Sequence, residues 1–584
     1  MRKKLTALFL AVIMTMSLMA CGSGSSNGGE TQAKADTASS QKQTVDNTPV
    51  SEDANSTDAE APENEEKAGG SYEWELIYDV KPDANRKSTA GSEEMYDSIV
   101  VSVANVPADL SPFTMSNAIT NMEIFDTLLD QTGPDEFIGR MAKEWNEVDD
   151  THFVVEIYDN VYDSDGNNIT ASDVVFSFDT FNNSGFARDF NYYDSAKALD
   201  TYTVEFTWKE PIEGLTNFAS MMTKTYIVSE KAYNEHDFIT DPVGSGPYIL
   251  KEYVTASYAV IEAKEDYWQS DEALVSPNTA RNVKTIRYDF ITDASMSAVA
   301  FEDGSTINVS LNADNISMFE EGGEYADLGR LYCYPDTVSI SIVPNMSGDS
   351  VVSDINLRMA MFYAFDTEGF AASLGERLYS PVTTDASPAI SDYSEDWSGW
   401  DTYQNTYDPE LAAEYLEKSD YNGEKLVILV EGNAQKENVA TVIQAYLESI
   451  GIKSEIKIYD HALISNYASR SDEWDLFLAS SGDSDYTANR LRKVYGQNAG
   501  YAKGLNISLY DNQEFQDMID NANTVSGYSV DATTELLKYI YDNALGYGTA
   551  YVVNVVCYSD CVAQFQIKYG SSEVLYGACE YYLD

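Results

Sequence analysis

The sequence predicts an α/β protein made of several domains, and three observations support this prediction. Segments with the apolar spacing of helices alternate along the chain with segments that have the apolar pattern of strands. The chain has 584 residues, whereas one hydrophobic core stops growing at about 250–300 residues. Its residues are 43% hydrophobic and 12% aromatic, which is enough apolar material for large cores. The interleaving of helices and strands favours sheets that are mainly parallel.

Strands are predicted where apolar residues alternate with polar ones or form short runs. These segments are 99–103, 152–158, 203–208, 248–253, 258–263, 285–291, 339–343, 425–430 and 453–458. Helices are predicted from three- and four-residue apolar spacing at 116–129, 171–178, 354–366, 409–416 and 438–450. Thr170 is the expected N-cap of the second helix, with Asp173 in its first turn. The turn at 163–167 looks like a calcium loop but lacks the downstream ligands, so we expect a plain hairpin turn.

The charge of the chain excludes one class of partner. There are 96 acidic and 36 basic residues, and the formal charge is -60. Binding to nucleic acid depends on clustered Lys and Arg that neutralise phosphates, and this chain has no such cluster. We therefore expect a globular protein with a strongly negative surface that binds no nucleic acid.

The N-terminus predicts export and a lipid anchor. Arg2, Lys3 and Lys4 precede an apolar run at 5–16, which is too short to span a bilayer comfortably. The following Leu18-Met19-Ala20-Cys21 resembles a bacterial lipobox, in which Cys21 becomes the lipidated N-terminus after cleavage. The alternative is an ordinary secretory signal with an incidental cysteine. In both cases residues 1–20 are a signal peptide, and their removal would take the formal charge from -60 to -63.

Residues 21–94 are expected to form a flexible, lipid-anchored linker. From 22 to about 70 the segment is rich in Ser, Thr, Gly, Asn and acidic residues, so it cannot bury enough apolar surface to offset the entropy of ordering. The strand-like stretch from Tyr72 to Tyr78 fits either an edge strand of the folded body or a part of the linker.

Four cysteines remain in the exported chain. Their even number suggests disulfides, with three pairings open among Cys333, Cys557, Cys561 and Cys579. A metal site at Cys557 and Cys561 is disfavoured because no His lies nearby in the sequence. The sequence predicts no cofactor and no resident metal.

Several ordered motifs are similar to the peptide/oligopeptide family of ABC-importer solute-binding proteins. They are Met141-Ala142-Lys143-Glu144-Trp145, Asn168 to Phe178, Pro242-Val243-Gly244-Ser245-Gly246-Pro247-Tyr248, Asp266-Tyr267-Trp268, Asn356-Leu357-Arg358, Tyr407-Asp408-Pro409 and Ile450-Gly451-Ile452. The similarity extends from about residue 98 to the end. We expect structural roles for most of these residues. Gly244 to Pro247 would mark the entry to a strand, and Tyr267 and Trp268 would fill core.

The resemblance implies a two-lobe periplasmic-binding-protein-like fold of type II, with mixed sheets and an inserted third domain. By analogy, lobe I comprises 95–128, 238–325 and 548–584, the inserted domain 129–237, and lobe II 326–547. Closure of the lobes around an oligopeptide would precede delivery to a membrane permease. The implied location is the extracellular face of the cell membrane, held by the lipid anchor, and we expect a monomer.

The resemblance also suggests where a peptide would bind. In such proteins an aspartate ahead of a tyrosine holds the α-amino group of the peptide, and this position falls at Asp485 and Tyr486. The family's Gly-Trp before the aspartate and Pro after the tyrosine are missing here, and Asp483 is a second candidate. Weaker candidates are Asn312 and the run Ser116, Asn117 and Ala118, for which a loop or cap role is the alternative.

Other functions remain open at this stage. The runner-up ligand is an oligosaccharide or another small solute, since 42 tyrosines offer stacking faces. Nickel or haem is less supported, because no His or Met cluster stands out. An enzyme is not expected, because the motifs of serine hydrolases, zinc peptidases and phosphate loops are missing from the sequence. An adhesin or signalling receptor built on the same binding fold is a third class.

Overall fold

The computed structural model describes residues 83, 85–104, 106–107, 109–114, 123–133, 136–184, 193–209, 218–271, 274–320, 322–348, 350–375, 377–432, 434–459, 461–468, 470–482, 486–497, 509–524, 527–569 and 574–583. The strands are β1 (Tyr96–Val103), β2 (Leu129–Gly133), β3 (Glu136–Gly139), β4 (Ala142–Asp149), β5 (His152–Ile157), β6 (Tyr193–Ala198), β7 (Thr203–Trp208), β8 (Tyr248–Val254), β9 (Tyr258–Ala263), β10 (Val283–Phe290), β11 (Asn308–Leu311), β12 (Arg330–Pro344), β13 (Tyr379–Pro381), β14 (Lys425–Glu431), β15 (Lys453–Tyr459), β16 (Leu476–Ser481), β17 (Tyr547–Tyr558), β18 (Val562–Gln564) and β19 (Glu580–Tyr581). The helices are α1 (Ala171–Asn183), α2 (Phe218–Met222), α3 (Glu230–Glu235), α4 (Ala294–Glu302), α5 (Ile316–Phe319), α6 (Ile355–Tyr363), α7 (Thr367–Leu374), α8 (Pro409–Lys418), α9 (Ala434–Ser449), α10 (His461–Ala468), α11 (Thr487–Tyr495), α12 (Gln513–Ala522) and α13 (Val530–Asp542).

The strands form three larger sheets. One has the order β1-β10-β9-β8 and another the order β4-β5-β7-β6. The largest has the order β11-β17-β12-β16-β14-β15, with β13 beside β17. Two small pairs, β2–β3 and β18–β19, complete the described sheets.

The sheets are mixed, as the resemblance implied, but the expectation of mainly parallel pairing is wrong. In the described part of the chain, only β1–β10, β14–β15 and β14–β16 pair in parallel. Neighbouring strands such as β4–β5 and β8–β9 are antiparallel hairpins. A tight turn permits antiparallel pairing without a crossover helix, and an interleaved pattern of helices and strands does not reveal this.

Most of the predicted elements are confirmed, with one error. Each predicted strand segment coincides with a strand, and the predicted helices from residue 171 onward overlap α1, α6, α8 and α9. The helix predicted at 116–129 is wrong at its C-terminal end, because Leu129 begins strand β2. The rest of that segment up to residue 122 lies outside the described residues. Strands β16 and β17 and helices α11 to α13 were not predicted.

Local signals at α1 are confirmed. The backbone N–H of Thr170 donates to Asp173 Oδ2 at 2.8 Å, which is one half of a capping box. In the preceding turn, Asp163 Oδ1 accepts the N–H groups of Asp165 and Asn167 at 3.0 and 2.8 Å. An antiparallel bridge between Tyr162 and Asn168 closes the 163–167 segment as a hairpin turn, as expected.

The motif residues at 244–247 and 267–268 have structural roles. A Cβ on Gly244 would lie 2.1 Å from the carbonyl oxygen of Ile124, so only glycine fits there. Tyr267 and Trp268 are buried and donate to the two carboxylate oxygens of Asp126 at 3.0 and 2.9 Å. Arg140 pairs with the same carboxylate at 2.7 Å. These motifs therefore hold the core together, as predicted.

The apolar cores are separate clusters. The largest is built from residues between 340 and 550, a second from residues between 128 and 268, and a third mainly from residues 99–290 and 556–581. A smaller fourth cluster combines residues 298–333 with 553–557. Strands β12 and β17 run alongside each other from the largest cluster to the third and fourth.

The four cysteines of the folded part are free thiols, so the expectation of disulfides is wrong. Cys333, Cys557 and Cys579 are buried and Cys561 is half-buried. Burial raises the pKa of the Cys557 and Cys579 thiols to about 12. The thiols therefore behave as small apolar groups at neutral pH.

The end of the expected linker contacts the folded body. The N–H of Thr89 donates to the carbonyl of Tyr581 at 2.9 Å, and Arg86 pairs with Asp560 at 2.6 Å. Arg86 also lies 3.8 Å from the ring centroid of Tyr582. Residues 86–89 are thus fixed beside the C-terminal strand. None of the helices in the described ranges has the length and apolar composition needed to cross a bilayer.

Candidate functional site

The candidate site lies where three parallel strands of the largest sheet end. Strands β15 and β16 flank β14 on opposite sides, and helices α9, α10 and α11 follow the three strands directly. The chain moves from β14 outward to β15 and then returns across β14 to β16. In open α/β sheets, ligands bind beyond the carboxyl ends of the strands at such a reversal. The edge formed by the ends of β14 and β16, at Glu431 and Ser481, is therefore the expected binding edge.

Directly after β16, the chain packs against β12 at a point where the strand pairing of β12 is irregular. Ser339 of β12 is the partner of Ser481, and the pairing of β12 with β17 shifts register between Pro335 and Ser339. A Cβ on Gly482 would lie 2.7 Å from Thr337 Oγ1 and 2.9 Å from Val338 Cγ2. The absence of a side chain at Gly482 lets the two segments approach this closely.

Asp392 fixes the start of helix α11. Its Oδ1 atom accepts the backbone N–H of Thr487 at 2.8 Å and the Thr487 hydroxyl at 2.7 Å. Its Oδ2 atom accepts the hydroxyl of Tyr528 at 2.8 Å. A carboxylate at a helix N-terminus satisfies a free N–H and interacts favourably with the helix dipole. The N-cap, Tyr486, packs its ring against the Tyr528 ring in an edge-to-face contact at 4.9 Å.

A buried ion pair supports the same helix from behind. Arg490 and Asp385 are both fully buried, and Arg490 Nη2 lies 2.8 Å from Asp385 Oδ1. The guanidinium also donates to Ser341 Oγ at 2.9 Å and to the Ser481 carbonyl at 3.1 Å. Asp385 further accepts the hydroxyl of Tyr495 at 3.3 Å. This network connects β12, β16 and α11.

Two lysines lie along the edge. Lys436 in the first turn of α9 is buried and pairs with Glu431 at 2.5 Å. Lys493 Nζ donates to the carbonyl of Gly482 at 3.1 Å. Both ends of the 482–487 segment are thus held by side chains from other elements. The charged side chains described at this edge are paired with protein groups. Within the described ranges, no three His, Cys, Asp or Glu side chains come together as metal ligands.

Most of the predicted site residues lie outside the described residues. These are Asp483, Asp485, Ser116, Asn117 and Ala118, and the predicted lipidation site, Cys21, is outside them as well. Tyr486 lies at the candidate site as the N-cap of α11.

Asn312 takes part in a turn after β11. It is exposed, its Oδ1 accepts the N–H of Asp314 at 2.9 Å, and its own N–H donates to Asn315 Oδ1 at 2.8 Å. The described contacts of Asn312 are those of a turn residue. The nearby Asn308 is buried and joins β11 to β1, because its amide accepts the N–H and donates to the carbonyl of Ser102 at 2.8 and 3.0 Å.

Sequence reasoning missed the groups that support the site. Asp385 and Asp392 lie in a loop about which the local pattern says nothing. Arg490 is separated from Asp385 by 105 residues, and Thr487 from Asp392 by 95. The buried Arg490 follows an unpredicted helix start, so no periodicity distinguished it from a surface cation.

Comparison with known proteins assigns the family. The model of the bacterial extracellular solute-binding proteins, family 5, middle part, matches residues 136–502. The oligopeptide-binding protein AppA of Bacillus subtilis is 23% identical over 482 residues, which cover 76% of this chain and 83% of AppA. The nickel-binding protein NikA of Staphylococcus aureus is 22% identical over 401 residues, covering 66% and 73% of the two chains.

A solved structure confirms the fold. The structure of Bacillus subtilis AppA in complex with a nonapeptide matches with a TM-score of 0.65 at 18% identity and covers 84% of this chain and 100% of AppA. The type II fold of the periplasmic binding proteins, expected from the motifs, is therefore the fold of this chain. The sequence motifs, the fold and the family match agree: the chain belongs to family 5 of the solute-binding proteins of ABC importers.

Proposed function

We propose that this chain is the lipid-anchored, extracellular solute-binding component of an ABC importer, and that it captures oligopeptides and delivers them to a membrane permease. The observation that carries the proposal is the strand reversal between β14 and β16, which is followed by the start of α11 that Asp392 fixes. The names of relatives support a peptide ligand, since AppA binds oligopeptides. The same relatives are transport proteins, and we propose no catalytic role.

The lobes of the proposal are those expected from the sequence. Lobe I comprises 95–128, 238–325 and 548–584, the inserted domain 129–237, and lobe II 326–547. The separate apolar clusters support this division, because each draws mainly on one of these units. Strands β12 and β17 are our candidates for the connection about which the lobes close, and the register shift between Pro335 and Ser339 is the expected point of bending.

We assign the capture of the peptide α-amino group to Asp485, with Asp483 as the second candidate. The segment that carries them is bounded by Gly482 and Tyr486 at the candidate site. A carboxylate enclosed by lobe closure would bind an ammonium group strongly because water is excluded. Pairing of the peptide main chain with the protein would give affinity with little side-chain selectivity.

Calorimetry with the mature chain tests the ligand class. The titrants are a peptide pool, an oligosaccharide pool and Ni²⁺ with histidine, the last because NikA binds nickel. We expect heat of binding with peptides only. If sugars or nickel bind and peptides do not, that solute replaces oligopeptides as the proposed ligand. The proposed transport role would be unaffected. Asp485→Asn should weaken the binding of peptides with a free α-amino group and leave the binding of their N-acetylated forms unchanged. An equal loss of affinity for both forms would refute the assignment.

The anchor has its own test. A lipid on Cys21 would anchor one end of a polar tether of about 65 residues. The contact of Arg86 with Asp560 would join the other end to the folded body. Metabolic labelling with a radioactive fatty acid should label the wild-type chain and not Cys21→Ser. Equal labelling of both chains would disprove lipidation at Cys21. Sedimentation of the soluble mature chain tests the expected monomer.

A further inference from the structure

A cavity of about 550 Å³, largely open to solvent, lies away from the strand edge described above. Its walls come from residues 111–114, which follow β1, from helix α1, and from Tyr233 on α3. It therefore lies between the sheet that contains β1 and the core on which α1 packs. Its volume is in the range of small-ligand pockets, which are frequent at such junctions.

The wall formed by α1 is one face of the helix. Phe176, Asp179, Thr180 and Asn183 line the cavity and follow the three- and four-residue spacing of a helix face. Phe178 lies on the other face, where its ring meets Phe206 at 4.7 Å in the sheet core. On the cavity side, Phe176 packs against the third apolar cluster, so the cavity adjoins that core.

The floor of the cavity is aromatic. The Tyr233 ring contacts the Phe113 ring at 5.5 Å and the Phe176 ring at 5.4 Å, both edge to face. Phe113 is buried, and Tyr233 also contacts Phe238 at 4.9 Å, so the floor is held from below. Aromatic faces attract apolar groups and cations.

The rim offers hydrogen-bond acceptors. The Thr114 hydroxyl donates to Asp109 Oδ1 at 2.5 Å, and the Ser184 hydroxyl donates to the Phe181 carbonyl at 2.7 Å. The Asn183 amide likewise donates to the backbone carbonyl of Asp179 at 2.7 Å. The hydroxyl donors of Thr114 and Ser184 and one N–H of the Asn183 amide are thus directed into the protein.

The one charged side chain among the lining residues is the Asp179 carboxylate, and the described lining contains no Lys, Arg or His. Asp179 Oδ1 accepts the hydroxyl of Tyr193 at 2.7 Å, which holds the carboxylate in place. Asp179 is exposed, and an exposed carboxylate in a lining that also contains aromatic rings favours a cationic donor and disfavours anions.

We propose that this cavity is a second binding site, selective for a small protonated amine that carries an apolar or aromatic group. The ammonium group would pair with Asp179 and the apolar group would lie on Phe176 and Tyr233. The site is distinct from the peptide site proposed at Asp485, and its occupant does not enter the transport cycle proposed above.

Calorimetric titration of the full mature chain at pH 7 with 2-phenylethylamine tests the proposal. The neutral 2-phenylethanol and the anionic 3-phenylpropionate have similar shapes and are the ligand controls. We expect saturable binding of the amine, with an affinity at least about fivefold higher than that of the alcohol, and no measurable binding of the anion. A tenfold difference in affinity corresponds to about 1.4 kcal/mol of binding free energy. Absence of saturation up to about 10 mM amine, or equal affinities for the amine and the alcohol, would overturn the proposal.

Variants locate the site. Asp179→Asn should lower the affinity for the amine about tenfold and leave the affinity for the alcohol unchanged, as expected for loss of a charge-assisted hydrogen bond. Asp401→Asn removes the same charge from an exposed position in the 326–547 unit and should change neither affinity. Phe176→Leu should weaken both aromatic probes. Asp485→Asn should leave amine binding intact, so that the two sites can fail separately. An effect of Asp485→Asn equal to that of Asp179→Asn would assign the amine to the peptide site and refute a second one.

Discussion

Two buried carboxylates in different parts of the molecule are stabilised in different ways. Asp385, behind the candidate site, is paired with Arg490 at 2.8 Å. Glu123, between β10 and the C-terminal segment, accepts the hydroxyl of Tyr288 and the N–H of Gly577, the latter at 2.6 Å. No Lys, Arg or His in the described ranges pairs with Glu123 within 4 Å. Burial raises the pKa of Glu123 to about 7, although the hydrogen bonds from Tyr288 and Gly577 oppose the shift.

The difference shows what a buried cation provides. Hydrogen bonds from a hydroxyl and an amide do not offset the desolvation of the Glu123 carboxylate, so its charge is costly near neutral pH. At Asp385, Arg490 adds an opposite charge and several directed donors. The cation belongs to the helix that starts at the candidate site, so the charge pair also fixes the position of that helix.

The largest expected effect comes from removing the cation. Arg490→Met leaves the Asp385 charge buried without its ionic partner and should lower the free energy of unfolding by about 3–5 kcal/mol. Urea denaturation of the mature chain measures the change. Arg492→Met, two residues along the same helix and partly exposed, is the matched control and should cost less than about 1 kcal/mol. Similar losses in both variants would contradict the role given to the ion pair.

The next effect depends on pH. Because the pKa of Glu123 is raised in the folded state, the stability it contributes is present below its ordinary value near 4.5 and is lost as the pH rises through about 7. A shift of this size corresponds to about 3 kcal/mol at pH 8. Glu123→Gln should remove this part of the pH dependence of the unfolding free energy.

The exposed Glu417→Gln is the control for Glu123→Gln, since it removes a carboxylate at the surface. Its unfolding free energy should follow the wild-type pH dependence between pH 4 and 8. If Glu123→Gln also follows the wild-type curve, Glu123 does not titrate in this range and the comparison with Asp385 fails.

A smaller effect is expected at the start of α11. Asp392→Ala removes the acceptor of the Thr487 N–H and of the Tyr528 hydroxyl, and should cost about 1–2 kcal/mol, as for the loss of an N-cap. Asp392→Asn retains an acceptor and should recover part of this loss. Urea denaturation compares the two variants, and an Asp392→Ala chain as stable as the wild type would show that α11 does not depend on this carboxylate.

Local chemistry explains why much of the fold was predictable. The Thr170 and Asp173 cap, the turn at Asp163 and the alternating strands depend on residues close in sequence. The motifs at 244–247 and 267–268 were correctly assigned to structure. Strand β17 escaped prediction because most of its residues are buried on both faces, so its sequence does not alternate.

The candidate site was less predictable, because it is assembled from distant segments. Tyr486 was identified through a motif, whereas Asp385, Asp392 and Arg490 act across gaps of about a hundred residues. Pairing of strands decides which of these segments meet, and a one-dimensional pattern does not contain that information. The parallel set β14, β15 and β16 was likewise not recognisable from the sequence, because strand β16 was not predicted.

Hydrogen exchange measured by mass spectrometry, with and without a saturating peptide pool, tests whether the ligand binds at the edge formed by β14 and β16. We expect peptide to slow exchange in the segments 336–339 and 481–490, which meet at Gly482 and Thr337. Helix α1 should exchange at the same rate in both states. Peptide binding that protects other segments and leaves 336–339 and 481–490 unchanged, or a lack of any protection, would contradict the placement of the ligand at this edge.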